Sequence, residues 1–259
     1  MNKIIDSHIH LDQYNDKDID SMIKQNSRNS VKALIAVSMN KASSERNLEL
    51  AKKYPSVYPA FGYHPEQELP TENEIQELLD WMDGHCSEMA AVGEVGLPYY
   101  LRQEKKMNLA AYEELLEIFI QKSSEWQLPI VLHAVYEDAG LACDLLEKYS
   151  IKKAHFHWFK GDLKTIERLM DNGYYISFTP EVCYRPKIRQ IAKIYPLELM
   201  MLETDGPWPF AGPFQGQKTS PVMIHKSAEE IAALKNCCLT DVYTTIWNNT
   251  CQFYNLSAE

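Results

Sequence analysis

Short apolar segments recur along the whole of this 259-residue chain. Eight of them begin near residues 4, 31, 57, 90, 129, 153, 174 and 199, and each has the length and composition of a buried β-strand. The segments between them carry apolar residues at every third or fourth position, as amphipathic helices do. A spacing of roughly 30 residues is typical of βαβ units. Eight such units predict an α/β fold, a (β/α)8 TIM barrel, with a doubly wound open sheet as the weaker alternative.

The pattern continues to the end of the chain without an interruption that would mark a domain boundary. A loop rich in Gly and Pro, "GPWPFAGPFQGQKTSP", follows the eighth apolar segment, and two more helices are predicted near 221–235 and 239–254. No linker or low-complexity segment is found. Because single barrels of this type reach this length, we predict one domain over residues 1–259.

Composition limits the class of protein. The net charge of −10 argues against a broad basic surface that neutralises nucleic-acid phosphates, although cations in a site could still bind a polyanion locally. The six cysteines have no regular spacing, which favours reduced thiols over a disulfide framework. Neither a signal-peptide pattern nor an apolar run of roughly 20 residues is present. We expect a cytoplasmic protein without a membrane partner, and a monomer by default.

Histidines and acidic residues cluster near the predicted carboxyl ends of the strands, where catalytic residues of such barrels lie. They are His8 and His10 in strand 1, His64 in strand 3, Glu94 in strand 4, His133 in strand 5, His155 and His157 in strand 6, and Asp205 in strand 8.

This distribution favours a metal site over buried packing residues. His8 and His10 lie two apart on one strand, so both can point to the same side, and His155 and His157 have the same spacing. Imidazole and carboxylate ligands suit Zn, Mn, Fe or Ni better than Mg or Ca. One histidine on an apolar strand is more often a core residue, but this many titratable groups would be poorly compensated without metals. Their number exceeds the three protein ligands usual for one catalytic zinc, which indicates two metals.

Six motifs make the chain similar to a known family nearly from end to end. They are "DSHIHLD", "FGYHPE", "AVGEVGLPYY", "LPIVLHA", "HWFKG" and "MMLETDGPW". In this combination they resemble the TatD-type metal-dependent hydrolases of the amidohydrolase superfamily, with their D-x-H-x-H-L-D, G-x-H-P, G-E-x-G-L-D-Y-Y, P-x-x-x-H, H-x-F-x-G and L-E-T-D-x-P segments.

The resemblance implies a binuclear site with two divalent metal ions, for which Zn, Mn, Mg, Ni and Fe are the candidates. The implied ligands are His8, His10 and Asp205 for one metal, His133 and His157 for the second, and Glu94 as the bridge between them. His64 would face the substrate. His155 has no counterpart as a ligand and is expected to be structural, and Glu203 is expected to support the ligands through hydrogen bonds.

The expected chemistry is hydrolysis. Two cations lower the pKa of a shared water molecule and stabilise charge on phosphoryl or carbonyl oxygens, so a metal-bridging hydroxide is the expected nucleophile. Asp205 is the candidate for receiving the proton of that water, and Glu94 fixes the spacing of the metals. The resemblance implies phosphodiester hydrolysis, with DNA as the substrate class of a deoxyribonuclease.

Three departures from the family pattern bear on the substrate. Pro98 replaces an acid, and Val135 and Gln215 each replace an arginine. Because arginine forms the bidentate pairs that phosphate favours, the loss of two arginines weakens the case for binding a nucleic-acid backbone. A hydrolase of a small metabolite, acting on an amide, lactone or phosphomonoester, is therefore the alternative. A metal-binding protein without turnover is a third, weaker hypothesis.

Other residues of the predicted rim could contact a substrate. The basic ones are Arg102, Lys160, Arg185, Lys187 and Lys218, each of which is more typical of a solvated charge. The aromatic ones are Tyr63, Tyr99, Tyr100, Trp158, Phe159, Trp208 and Phe210, which could stack on bases, line a smaller pocket or pack the barrel mouth.

Overall fold

Eight parallel strands pair in chain order, from β1 with β2 to β7 with β8, in the computed structural model, which describes residues 2–257. The strands are β1 Ile4–Ile9, β2 Val31–Val37, β3 Val57–Phe61, β4 Ala91–Gly96, β5 Ile130–His133, β6 Ala154–Phe156, β7 Tyr175–Phe178 and β8 Met200–Leu202. This order confirms the barrel prediction and contradicts a doubly wound sheet, in which the strand order reverses part-way. Each strand begins within one residue of its predicted start.

Helices follow the strands and cover the outside of the sheet. They are α1 Asp16–Arg28, α2 Lys41–Lys53, α3 Glu72–Gly84, α4 Tyr99–Glu104, α5 Leu109–Trp126, α6 Asp138–Lys148, α7 Leu163–Asn172, α8 Pro186–Ile194, α9 Ile224–Lys235 and α10 Leu239–Tyr254. Helix α3 begins with a capping box, in which Thr71 and Glu74 satisfy each other's backbone N–H groups. Across residues 2–257, no helix combines the length and the apolar composition needed to cross a membrane.

The seam between the first and last strands is closed by polar contacts. The backbone N–H of Asp205 donates to the carbonyl of His8 at 2.9 Å, and that of His10 donates to the carbonyl of Gly206 at 2.8 Å. Deeper in the seam, the buried Asp6 carboxylate accepts from the Thr204 backbone N–H at 2.9 Å and from its hydroxyl at 2.5 Å. The contacts hold the ends of β1 and β8 side by side, which fixes two predicted ligand segments against each other.

Apolar side chains form two main layers. The larger one lies between the strands and the helices and includes Leu34 and Ala36 of β2. Their strand neighbour Ile35 belongs to a second cluster, as alternation along a strand requires for a barrel interior. Phe253 and Tyr254, at the end of α10, join this inner cluster. The last helix therefore packs against the inner layer that supports the strand ends.

Candidate metal centre

The residues predicted to bind metal come together at the carboxyl ends of the strands. His133 is the last residue of β5 and Glu94 lies within β4, while His10 and His157 directly follow β1 and β6. His8 lies within β1, and Asp205 and His64 each lie three residues beyond a strand end. All seven side chains are buried.

One oxygen of Glu94 faces the histidines of β1. Glu94 Oε2 lies 3.0 Å from His8 Nε2 and 3.3 Å from His10 Nε2. Asp205 Oδ1 approaches the same two nitrogens, at 3.4 Å from each. Two imidazole nitrogens and two carboxylate oxygens therefore converge on one side of Glu94.

The other oxygen of Glu94 faces a different set of imidazoles. Glu94 Oε1 lies 2.7 Å from His157 Nε2, 2.9 Å from His133 Nδ1 and 3.2 Å from His64 Nε2. The two nitrogens of His133 and His157 are themselves 3.2 Å apart. The single carboxylate thus stands between two clusters of imidazole nitrogens.

Several of these atoms are buried without a hydrogen-bond partner. They include His8 Nε2, Glu94 Oε2 and Asp205 Oδ1. His8 Nε2 lies 3.0 Å from Glu94 Oε2 and 3.4 Å from Asp205 Oδ1, without the geometry of a hydrogen bond. Buried polar atoms are rarely left unsatisfied, and such atoms need a partner such as a water molecule or an ion. The donor atoms of His8, His10 and Glu94, and those of His64, Glu94 and His133, lie close enough together to share an ion. The donor set fits divalent cations that prefer nitrogen and oxygen ligands.

The charges in the cluster shift the pKa values in opposing directions. Burial raises the pKa of the Glu94 carboxyl, but the surrounding imidazoles outweigh it and hold that pKa well below its usual range. Burial and the neighbouring His157 lower the pKa of His8. For His10, burial is outweighed by the nearby carboxylates of Asp205 and Glu94, which raise its pKa to about 10. Protons and cations therefore compete for the same nitrogen atoms.

His155 and His157 lie two residues apart but have different partners. His157 directly follows β6, its backbone N–H donates to the carbonyl of Leu132 at 3.2 Å, and its side chain contacts Glu94. His155 instead lies 2.9 Å from the Tyr254 hydroxyl through Nδ1 and 2.7 Å from Ser177 Oγ through Nε2. It belongs to the polar interior of the barrel.

Glu203 links that interior to the cluster. Its carboxylate accepts from the Ser177 hydroxyl and from the backbone N–H of Trp158, both at 2.6 Å, and it lies 3.6 Å from His157 Nδ1. With His8 and His157 it makes a third group of close donor atoms. Because its oxygens are already engaged, it is suited to orienting His157.

Sequence reasoning missed Glu66, which contacts His133 from the opposite side. Glu66 Oε1 lies 3.1 Å from His133 Nε2, and the carboxylate also accepts the backbone N–H groups of Tyr100 at 2.8 Å and Leu101 at 2.6 Å. A carboxylate on the outer nitrogen of a ligand histidine fixes its tautomer and its orientation. The signal available in the sequence was an acid two residues after His64, in "FGYHPE".

A cavity of about 480 Å³ opens above these residues. His10, His64, His133, His157 and Asp205 line it on one side. Its remaining wall includes Tyr100, Trp158, Trp208 and Val135. This volume lies within the range of about 300–1,000 Å³ usual for small-molecule sites.

Comparison with known proteins matches residues 5–255 to the model of the family described as TatD related DNase. The chain belongs to this family. The resemblance inferred from its six motifs is thereby confirmed.

Relatives of TatD type match almost the whole chain. A Haemophilus influenzae protein named as an uncharacterized metal-dependent hydrolase is 38% identical over 255 residues, covering 98% of this chain and all of that protein. Human Deoxyribonuclease TATDN3 is 27% identical, with 97% and 94% covered. The crystal structure of YjjV, a TatD homolog from Escherichia coli K12, superposes with a TM-score of 0.87 at 23% identity, covering 99% and 100%. The chain is thus a metal-dependent hydrolase of the TatD family.

The departures from the TatD pattern leave the histidine and carboxylate cluster intact. Pro98 is buried directly before α4, Val135 is 2% exposed in the cavity wall, and Gln215 is exposed on the loop after β8. None of the three contributes an atom to the convergent groups. They change the surroundings of the site.

Only some of the aromatic residues expected at the TatD barrel mouth line the cavity. Tyr100, Trp158 and Trp208 do so. Phe159 is 1% exposed in the outer core, and Phe210 packs with Phe214 and Met223. The Tyr63 hydroxyl donates to the backbone carbonyl of Glu68, and the Tyr99 ring packs against the Tyr136 ring at a tilt. The aromatic surface offered to a substrate is therefore confined to three rings.

Proposed function

We propose that this chain hydrolyses phosphodiester bonds, as a deoxyribonuclease does, with two divalent cations held on either side of Glu94. The observation that carries the proposal is that the two oxygens of Glu94 face separate clusters of imidazole nitrogens. The description of the matched family and the name of the human relative support the phosphodiester class.

The assignment of ligands follows the two sides of the bridge. His8, His10 and Asp205 would hold one cation, His133 and His157 the other, and Glu94 both. When bound, the cations would lower the pKa of a water molecule and stabilise the charge that develops on the phosphoryl oxygens.

The side chains would then perform the proton transfer and the positioning. Asp205 Oδ1 has no hydrogen-bond partner and sits beside the two β1 histidines, so it is the candidate to accept a proton from the attacking water. His64 lines the cavity, and the backbone N–H of Glu66 bonds to its Nδ1 at 3.1 Å. That bond makes Nδ1 the acceptor, so Nε2 carries the hydrogen and faces Glu94 Oε1 at 3.2 Å. If Glu94 holds the cations, this N–H would be the group that donates to a substrate oxygen.

A small-metabolite hydrolase is the second candidate function. The cavity volume and the apolar Val135 in its wall favour a compact substrate, such as an amide, a lactone or a phosphomonoester. The same cluster could serve each of these reactions, so substrate tests must separate them.

The test is reconstitution of the stripped protein with one metal at a time. We expect Zn, Mn, Ni, Fe or Mg to restore hydrolysis of single-stranded DNA or of a model phosphodiester, and elemental analysis to find two ions per chain. His8→Ala and Asp205→Asn should lose this activity while keeping the circular dichroism spectrum of the folded protein. His85→Ala is the matched control, because His85 directly follows α3 and contacts Trp81 instead of the cluster. Activity confined to amides or lactones would contradict the phosphodiester assignment.

The remaining expectations concern the state of the protein. We infer a one-domain monomer of the cytoplasm, and size-exclusion chromatography with light scattering tests the monomer. All six cysteines are free, which is consistent with a reducing compartment.

A further inference from the structure

The wall of the cavity above the candidate metal centre carries very little positive charge. Of the residues that the structure describes around it, Lys160 is the only lysine or arginine, whereas Glu66 and Glu104 also line it. Lys160 occupies an unspecified position of the H-x-F-x-G motif, in "HWFKG". The sites where the family pattern has arginine hold Val135 and Gln215 instead.

Two other basic residues of the rim pair with carboxylates outside the cavity lining. Arg102 donates to Asp138 at 2.7 Å and lies 3.3 Å from Glu137. Lys218 pairs with Asp18 on α1. Neither Arg102 nor Lys218 lines the cavity.

The ammonium of Lys160 is held in place but only weakly neutralised. Its Nζ lies 4.2 Å above the Trp158 ring and donates to the Tyr100 hydroxyl at 3.3 Å. The nearest carboxylate is Glu181, at 3.8 Å. Glu181 already accepts from Trp158 Nε1 at 2.7 Å and pairs with Arg185 at 3.0 Å.

Burial lowers the pKa of Lys160, and Glu181 opposes that change. Its side chain is 17% exposed, so little water solvates the charge. An ammonium in these surroundings gains more from an incoming anion than a fully solvated one does. The flat rings of Trp158 and Tyr100 flank it and could hold a base or a similar planar group.

We propose that Lys160 is a specificity-determining residue that binds a single second phosphate of the substrate, next to the ester that is hydrolysed. The inference rests on the proposed function, and it narrows the substrate to nucleotide-sized phosphodiesters or strand ends with one further phosphate. A long strand would need more cations than this cavity offers.

Two pairs of nucleotides test the proposal on the metal-loaded protein. The binding pair is thymidine 5′-monophosphate and thymidine 3′,5′-bisphosphate, compared by titration calorimetry. The hydrolysis pair is thymidine 5′-(p-nitrophenyl phosphate) with and without a 3′-phosphate, in which water adds to phosphorus and p-nitrophenolate leaves. We expect the second phosphate to improve both Kd and kcat/KM about tenfold, as a charge-assisted hydrogen bond does.

The variants isolate the charge. Two ratios express the preference for the second phosphate: that of the Kd values and that of the kcat/KM values, each with and without this phosphate. Lys160→Met keeps the length of the side chain and should reduce both ratios to about one, whereas Lys160→Arg should retain most of the preference. Lys160→Gln is a second neutral variant in case the thioether disturbs the packing on Trp158. Lys187→Met removes one exposed charge from α8, outside the cavity lining, and should leave both ratios unchanged.

The two arms separate this inference from the proposed function. Equal binding of the two nucleotides by the wild-type protein, or a preference that survives in both neutral variants, would overturn the role of Lys160. Failure to hydrolyse either p-nitrophenyl ester would contradict the phosphodiesterase function, and the binding arm would still decide the role of Lys160.

Discussion

Replacement of Glu66 by glutamine tests whether a residue outside the ligand set controls one of the two cation sites. Glu66 contacts His133 Nε2 at 3.1 Å, so the Nδ1 of the same ring is directed toward Glu94 at 2.9 Å. Glutamine keeps the size of the side chain but has only one acceptor oxygen. That oxygen can retain a bond with the backbone N–H of Tyr100 or Leu101, and the amide group then presents N–H to the imidazole.

The magnitude follows from the contact that is lost. Removing the carboxylate partner of a ligand histidine costs about 10- to 100-fold in metal affinity or activity. At 25 °C this corresponds to about 1.4–2.7 kcal/mol. The loss should fall on the cation that His133 would bind, because the Glu66 carboxylate contacts His133 and the backbone of Tyr100 and Leu101, on the side away from His8 and His10.

The assay is a calorimetric titration of Zn²⁺ or Mn²⁺ into the stripped protein. We expect two binding events in the wild type and, in Glu66→Gln, one event weakened by the stated factor while the other is unchanged. Glu68→Gln is the matched control, since Glu68 has an 89% exposed side chain and lies two residues away. Wild-type affinity at both sites of Glu66→Gln, or equal weakening of both, would refute the positioning role.

Three further predictions concern protons, salt and the barrel seam. The carboxylates raise the pKa of His10 to about 10, so a cation must displace its proton. Metal affinity should therefore rise about tenfold per pH unit near pH 7 for each proton released. Calorimetry in two buffers of different ionisation enthalpy counts those protons, and a pH-independent affinity would contradict the prediction. Binding of single-stranded DNA should weaken only slightly with salt. The logarithm of the association constant should fall with the logarithm of the salt concentration with a slope of about −0.7 for one phosphate contact. A slope several times steeper would indicate a longer binding groove. Asp6→Ala leaves the backbone N–H and the hydroxyl of Thr204 buried without an acceptor. The free energy of unfolding, measured in urea, should fall by about 2–4 kcal/mol. A change below about 0.5 kcal/mol would show that other contacts hold the seam.

The strands were predictable because parallel strands covered by helices are apolar on both faces and recur at a fixed spacing. The pairing of His8 with His10 was predictable for a related reason, since alternation continues to the end of β1 at Ile9. The same spacing did not decide the partners of His155 and His157. Only His157 contacts Glu94, whereas His155 contacts Tyr254 and Ser177, because alternation specifies the side of a strand and not the partners found there.

The turn after β6 separates two neighbouring aromatic residues that the sequence left as equal candidates for the rim. Trp158 has a φ of 37°, a left-handed conformation that breaks the strand path. Trp158 consequently faces the cavity while Phe159 enters the core. A local pattern of aromatic residues does not specify such a reversal.

Contacts between distant segments could not be inferred from spacing. Glu66 and His133 are 67 residues apart, and their contact depends on how the β3 and β5 loops meet around α4. Of the five basic residues expected at the rim, Lys160 is the one that lines the cavity, and spacing along the chain did not distinguish it from the others. Under the proposed function these contacts bear on the substrate, and for that reason the motifs specified the class of metal-dependent hydrolase but not its target.

The most direct test of the central claim is an anomalous-scattering map from a crystal of the protein loaded with Zn²⁺ or Mn²⁺. We expect two peaks about 3.5–4 Å apart, on opposite sides of the Glu94 carboxylate. One should lie beside His8 and His10, and the other beside His133 and His157. A single peak, or two peaks that Glu94 does not separate, would contradict the account.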